Sequence, residues 1–113
     1  MLKVYGIKTC DSVKKARKFL DHNGIEYVFI DFKETPVGCD LIQKWSDKVD
    51  MKKLFNIRST TYRNLQLKDL DLNDSQKIEW LCKENLLIKR PILETQNSVM
   101  VGFNQALYEE LFL

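Results

Sequence analysis

Residues 2–32 read LKVYGIKTCDSVKKARKFLDHNGIEYVFIDF, and the spacing of their apolar side chains changes twice along the segment. Residues 2–7 are rich in strand formers. Residues 12–22 place apolar side chains at helical spacing, with lysines and an arginine on the opposite face. Residues 27–32 are apolar enough for a second strand with a central position in the sheet. The segment therefore predicts a parallel βαβ unit and an α/β fold.

Cys10 follows the first predicted strand, in the run Lys8-Thr9-Cys10-Asp11-Ser12, and precedes a helix that Ser12 is expected to cap. Open α/β sheets place their sites at the carboxyl ends of strands, and the amides of a helix N-terminus favour a thiolate. Lys8, Thr9 and Ser12 can add a positive charge or hydrogen-bond donors. The pattern predicts a nucleophilic cysteine; an inert apolar role is the alternative, which the polar run disfavours.

Two further cysteines, Cys39 and Cys82, complete an odd number at wide spacing. Neither a secreted disulfide framework nor a zinc site has this pattern, so reduced thiols are predicted. Cys82 is expected to be a buried neutral thiol, and Cys39 could resolve an adduct on Cys10, although an external thiol is favoured. With His22 as the one histidine, predicted to lie on the surface, neither a metal site nor a bound cofactor is expected.

The remainder of the chain predicts a helical insert followed by a return to strands. Pro91 precedes a hairpin that closes onto the same sheet, and Asn104 caps a short last helix. We expect one domain over residues 1–113, with a core formed by residues 1–33 and 89–113 and an insert at residues 34–88. Within the insert, short helical pieces are predicted at residues 38–48, 51–55, 61–69 and 74–85.

Composition excludes several classes of protein. A net charge of +2, with acids and bases interleaved, argues against direct nucleic-acid binding. The sequence has no stretch of ~20 apolar residues, so no membrane partner is expected. No charged and then apolar leader precedes the first strand, and a cytoplasmic protein is predicted.

The sequence resembles the ArsC/Spx superfamily, a branch of the thioredoxin-like fold, and within it the YffB-like ArsC-family proteins. Four segments carry the resemblance, and their order and spacing make it specific although each alone is weak. They are Tyr5-Gly6-Ile7-Lys8-Thr9-Cys10-Asp11 with Val13-Lys14-Lys15-Ala16, Leu54-Phe55-Asn56-Ile57-Arg58-Ser59, Leu87-Ile88-Lys89-Arg90-Pro91-Ile92, and Val101-Gly102-Phe103-Asn104.

This resemblance implies a thioredoxin-like, four-stranded mixed sheet with flanking helices and an inserted helical lobe. It implies a cis peptide at Pro91, facing the nucleophile, where a substrate's extended cysteine can pair with the backbone. Cys10 matches the nucleophile of the related arsenate reductases and Arg90 matches their arginine before the proline. Arg58 lies about two positions from another of their arginines, and Val13 stands where the related regulators carry the second cysteine of a Cys-x-x-Cys switch.

The function predicted is a glutathione-dependent thiol oxidoreductase of the arsenate-reductase-like family. Cys10 would attack a small thiol-derived or oxyanion substrate, and glutathione would regenerate it, with glutaredoxin as a further candidate partner. Lys8, Thr9, Ser12, Arg58, Arg90 and Pro91 are the predicted substrate- and thiol-binding residues. The alternative is a non-catalytic, Spx-like regulator that binds RNA polymerase or another protein.

Overall fold

Four strands form one mixed sheet in the computed structural model, which describes residues 1–113. They are β1 (Leu2–Gly6), β2 (Tyr27–Asp31), β3 (Ile92–Glu94) and β4 (Val99–Val101), in the order β2-β1-β3-β4. β1 and β2 are parallel, whereas β1 with β3 and β3 with β4 are antiparallel. The predicted thioredoxin-like mixed sheet is confirmed.

Two helices flank this sheet, α1 (Asp11–His22) and α6 (Gln105–Phe112). Their buried side chains pack with those of β1 and β3, so that Val4, Leu20, Leu93 and Tyr108 share one apolar cluster. The side chain of Asn104 accepts a hydrogen bond from the Leu107 amide and caps α6, as predicted. The sheet with these helices is one compact unit, residues Met1–Glu34 and Arg90–Leu113.

The predicted central position of β2 is wrong, because β2 forms one edge of the sheet and β1 and β3 are the central strands. Its aromatic side chains are covered by a long side chain from α1 instead of by another strand. The Arg17 guanidinium carbon lies 4.0 Å from the centre of the Phe29 ring, and Arg17 Nε donates to the Tyr27 hydroxyl at 3.3 Å. Arg17 thus covers the face of β2 that carries Tyr27 and Phe29, whereas Val28, which alternates with them, is 46% exposed.

Residues Thr35–Lys89 form the second compact unit. Its helices are α2 (Cys39–Lys48), α3 (Met51–Leu54), α4 (Thr60–Asn64) and α5 (Asp74–Lys83), with 3₁₀ turns at Leu67–Leu70 and Asn85–Leu87. The short helical piece predicted at residues 61–69 is divided in the structure into α4 and the 3₁₀ turn Leu67–Leu70. Gln66 has φ of 55° and interrupts the helical hydrogen bonds, because this left-handed conformation cannot continue a right-handed helix.

A disulfide joins Cys39, the first residue of α2, to Cys82 in α5, with a Cα–Cα distance of 5.1 Å. The predictions of reduced thiols and of a neutral Cys82 thiol are therefore wrong for this structure, and the less favoured alternative, in which Cys39 resolves an adduct on Cys10, is not supported because Cys39 is bonded to Cys82. The pairing of two helices brings together cysteines that lie 43 residues apart, which wide spacing in sequence does not reveal. No helix is both long enough and apolar enough to cross a membrane.

Candidate active site

Cys10 is the free cysteine of the structure and is partly exposed. Its amide donates to the Ile7 carbonyl at 3.2 Å, which closes a tight turn between β1 and α1. Its own carbonyl accepts from the Lys14 amide at 3.0 Å, so Cys10 is the N-cap residue of α1. The prediction that Ser12 caps this helix is wrong, since Ser12 lies inside the first helical turn.

The first amides of α1 have no side-chain cap. An N-cap side chain can accept from the amides two or three residues further on, here Ser12 and Val13. A sulfur at this position gains most from those donors and from the helix dipole when it is ionised. Asp11, the acidic residue of the same turn, is exposed to solvent.

Asp31 anchors the turn that carries Cys10, and no sequence argument singled it out. The residue ends β2 opposite Gly6, and only 7% of its surface is exposed. Its Oδ2 accepts from the Lys8 amide at 3.1 Å and its Oδ1 accepts from the Lys33 amide at 2.8 Å. A polar residue closing an apolar strand, at the same sheet edge as the cysteine, was the available signal.

The side chain of Lys8 pairs with a carboxylate of its own unit. Lys8 Nζ lies 2.8 Å from Glu34 Oε1, and both side chains are exposed. The hydrogen bond and the charge of Glu34 raise the pKa of Lys8 above its ordinary value. The Lys8 ammonium group is therefore paired with the Glu34 carboxylate. The predicted role of Lys8 in substrate binding stays a prediction.

The approach of α1 to β1 depends on Gly6. A β-carbon added at Gly6 would lie 2.5 Å from Cγ2 of Val13, a fully buried side chain. The absence of a side chain at Gly6 lets the first turn of α1 lie directly on the end of β1. Cys10 is held at the strand end for this reason.

Arg90 and Pro91 lie at the same end of the central strands as the Cys10 turn. This is because β1 ends at Gly6 and its neighbour β3 begins at Ile92, opposite Tyr5. The Arg90–Pro91 peptide is cis, as the resemblance implies. Pro91 is buried and its carbonyl accepts from the Gly102 amide at 2.8 Å. Arg90 is partly exposed, and its Nε is buried.

The remaining predicted site residues differ in their settings. Thr9 is exposed beside Cys10, and Ser12 is partly buried in the first turn of α1. Arg58 belongs to the helical unit, where it is exposed and lines a cavity together with three lysines. Six of the seven predicted residues thus lie in the sheet unit, and the binding roles assigned to them remain predictions.

The chain is similar to known proteins over nearly its whole length. The model of the ArsC family matches residues 5–111. An uncharacterised protein from Haemophilus influenzae is 36% identical over 99% of both chains. The global transcriptional regulator Spx of Listeria innocua is 28% identical over 93% of this chain and 82% of its own length.

Solved structures show the same architecture. A protein titled YFFB superposes with a TM-score of 0.93 at 32% identity, and the match covers 100% of both chains. An arsenate reductase from Vibrio cholerae superposes with a TM-score of 0.80 over 98% of this chain and 97% of its own, at 18% identity, which shows the common fold. The fold is therefore that of arsenate-reductase-like proteins.

Proposed function

The chain belongs to the ArsC family, and on that premise we propose that it is a glutathione-dependent thiol oxidoreductase with Cys10 as its single nucleophilic cysteine. The position of Cys10 carries the proposal. It is the free thiol, it is accessible, and it lies at the N-terminus of a twelve-residue helix whose first amides have no side-chain cap. The other two cysteines are bonded to each other and supply no nucleophile in this state.

The reaction needs two thiol exchanges. In the first, the Cys10 thiolate attacks the glutathione sulfur of a mixed disulfide R–S–S–G; a Cys10–S–S–G bond forms, and R–S⁻ leaves and takes up a proton. In the second, a glutathione thiolate attacks the glutathione sulfur of the adduct, which releases oxidised glutathione and restores the Cys10 thiolate. Each exchange conserves electrons, and together they reduce R–S–S–G at the expense of one further glutathione.

Arg90 is the cation of the sheet unit that we assign to a carboxylate of glutathione. It adjoins Pro91 at the sheet edge from which the Cys10 turn also emerges. A guanidinium binds a carboxylate through two parallel hydrogen bonds, so it orients the tripeptide as well as attracting it. Replacing Arg90 with lysine keeps the charge and removes this fork, and we expect a higher KM for glutathione with a smaller change in kcat.

The decisive experiment treats the protein with oxidised glutathione and measures its intact mass. We expect one glutathionyl adduct per chain, mapped by peptide analysis to Cys10, and its release by reduced glutathione. Turnover is then measured with glutathione and the mixed disulfide of glutathione and β-mercaptoethanol, with arsenate as a parallel oxyanion substrate. Cys10→Ser is expected to abolish adduct and turnover, whereas the double variant Cys39→Ser/Cys82→Ser is expected to retain both.

A non-catalytic regulatory role is the second candidate, favoured by the match to a protein named a global transcriptional regulator. Val13, three residues after Cys10, is fully buried against Gly6, so a Cys-x-x-Cys switch is absent from this turn. A wild-type protein that forms no adduct, shows no turnover and instead binds purified RNA polymerase would support this candidate and contradict the enzymatic one.

A further inference from the structure

The helical unit contains a cavity of about 690 Å³ whose lining includes four cations and neither aspartate nor glutamate. The cations are Lys52, Arg58, Lys77 and Lys89, and we call this cavity the basic pocket. None of the four is paired with a carboxylate. A groove of about 630 Å³ in the sheet unit, by contrast, has Glu109 among its lysines. The basic pocket is therefore a concentration of unneutralised positive charge.

The backbone holds two sides of the basic pocket together. Phe55 and Ile88 form an antiparallel bridge. The Asn56 amide donates to the Leu87 carbonyl, and the Lys89 amide donates to the Leu54 carbonyl, both at 2.8 Å. These bonds fix the main chain next to Lys89 and next to the segment that leads to Arg58. These two cations are therefore carried by an ordered backbone frame. Such a frame lowers the conformational entropy lost when a ligand binds.

Arg58 is presented by a hydrogen-bonded turn. Asn56 Oδ1 accepts from the Arg58 amide at 3.0 Å, and the Ser59 hydroxyl donates to the Asn56 carbonyl at 3.0 Å. Ser59 Oγ in turn accepts from the Tyr62 amide as the N-cap of α4. These hydrogen bonds involve the backbone and the small polar side chains of the turn. The Arg58 guanidinium is exposed and is not paired with a carboxylate.

Three apolar side chains and Asn56 form the rest of the wall. Met51 and Phe55 line the basic pocket together with Ile57, which is 57% exposed. Lys77 Nζ lies 5.8 Å from the centre of the Phe55 ring, which places one cation beside an aromatic surface. An exposed isoleucine next to four cations is suited to a ligand that carries both an anionic group and an apolar or aromatic body.

We propose that the basic pocket binds a small organic phosphate with two or more negative charges and an aromatic body, a nucleoside diphosphate being the representative chemistry. Lysine ammonium groups bind phosphate oxygens as point charges, and an arginine adds a two-pronged contact. The cavity volume lies within the range of small-molecule sites. A multiply charged anion would relieve the mutual repulsion of four cations, which a neutral molecule cannot do.

The test uses the full chain and adenosine diphosphate as the probe, with affinity measured by calorimetry at low and at high salt. We expect binding that weakens as salt rises, because the interaction is ionic. Adenosine, which keeps the aromatic body and lacks the phosphates, is expected not to bind. Lys77→Gln and Arg58→Gln are each expected to weaken binding about tenfold, the size of one charge-assisted hydrogen bond.

The matched control is Lys83→Gln. Lys83 lies on the same helix α5 and above an aromatic ring, Trp80 at 5.4 Å, but outside the basic pocket. We expect wild-type affinity from this variant. Equal weakening by Lys83→Gln and Lys77→Gln would show that only overall charge matters and would overturn the site. Equal binding of adenosine, or binding of an RNA oligonucleotide without binding of adenosine diphosphate, would overturn it as well.

This inference does not depend on the proposed thiol chemistry. Cys10→Ser is expected to bind adenosine diphosphate as tightly as the wild type, because Cys10 is not part of the basic pocket. Loss of turnover in Cys10→Ser with retained nucleotide binding therefore separates the two proposals. Retained glutathionylation of Cys10 in a protein that fails to bind adenosine diphosphate would reject the basic pocket alone.

Discussion

Asp31 and Lys8 are joined by a partly buried hydrogen bond, in which Oδ2 of Asp31 accepts from the Lys8 amide at 3.1 Å. The same carboxylate accepts from the Lys33 amide, so it links the turn before Cys10 to the end of β2. The geometry makes Asp31 a positioning residue for the cysteine, since the carboxylate bonds backbone groups and no reacting atom.

Asp31→Ala is expected to reduce stability by about 1–3 kcal/mol, because it removes two partly buried hydrogen bonds to a carboxylate. Hydrogen exchange at the Lys8 amide should accelerate more than exchange in α6. Glu34→Gln is the control, since it removes only the exposed ion pair with Lys8 and should leave the stability close to that of the wild type. Unchanged protection of the Lys8 amide in Asp31→Ala would contradict the anchoring role.

Gly6→Ala is expected to destabilise the protein by about 1–3 kcal/mol, because the new β-carbon would lie 2.5 Å from Val13 Cγ2 and force α1 away from β1. The double variant Gly6→Ala/Val13→Ala tests the cause. Val13→Ala alone opens a cavity, whereas in the double variant the added methyl group occupies part of that space. Urea denaturation should show that the double variant costs less than the sum of the single ones; simple additivity would refute the clash.

Much of the sheet unit could be predicted from sequence, because its signals are local. The periodicity of residues 2–32 predicted β1, α1 and β2 in their correct order, and Asn104 marked the start of α6. The four-segment resemblance predicted the family and the cis peptide at Pro91, both of which are confirmed. Each of these rests on a few neighbouring residues or on a specific order of motifs.

The errors concern contacts between distant parts of the chain. The edge position of β2 depends on which strands pair with β1 and β3. Because Arg17 covers Phe29, the sequence of β2 can be as apolar as that of a central strand. The pairing of Cys39 with Cys82 depends on α2 meeting α5. Asp31 acts through two backbone amides, one of which is 23 residues away in sequence. None of these long-range contacts produces a periodic pattern in the neighbouring sequence.

The disulfide is expected to stabilise the helical unit. A closed loop of 43 residues lowers the entropy of the unfolded chain, an effect of about 4 kcal/mol at most. The double variant Cys39→Ser/Cys82→Ser, or the wild type with a reductant, should therefore unfold at lower urea concentration. Trp45 and Trp80 are the two tryptophans and both lie in this unit, so tryptophan fluorescence reports on it directly.

Two controls accompany the disulfide measurement. Cys10→Ser should keep the wild-type midpoint and the wild-type response to reductant, because Cys10 is not bonded. Alkylation of Cys10 in the double variant should proceed at the wild-type rate. A midpoint that is identical with and without reductant would show that the bond does not stabilise the unit.

Alkaline pH is expected to unfold the protein through its buried tyrosines. Burial raises the pKa of Tyr108, and burial together with the charge and the hydrogen bond of Glu94 raises the pKa of Tyr5. In the unfolded chain both phenols ionise near pH 10, while in the native protein they keep their protons. The unfolded state then binds fewer protons, so the free energy of unfolding falls by about 1.4 kcal/mol per pH unit for each tyrosine, beginning near pH 10.

Tyr108→Phe isolates this effect, because phenylalanine preserves the edge-to-face contacts with Phe103 and Phe112. At neutral pH the variant should lose about 1 kcal/mol, since the Tyr108 hydroxyl no longer donates to the Gly102 carbonyl. Above pH 10 its free energy of unfolding, measured with urea at a series of pH values, should fall less steeply than that of the wild type. Parallel slopes for the two proteins above pH 10 would mean that Tyr108 ionises as readily in the native state as in the unfolded chain.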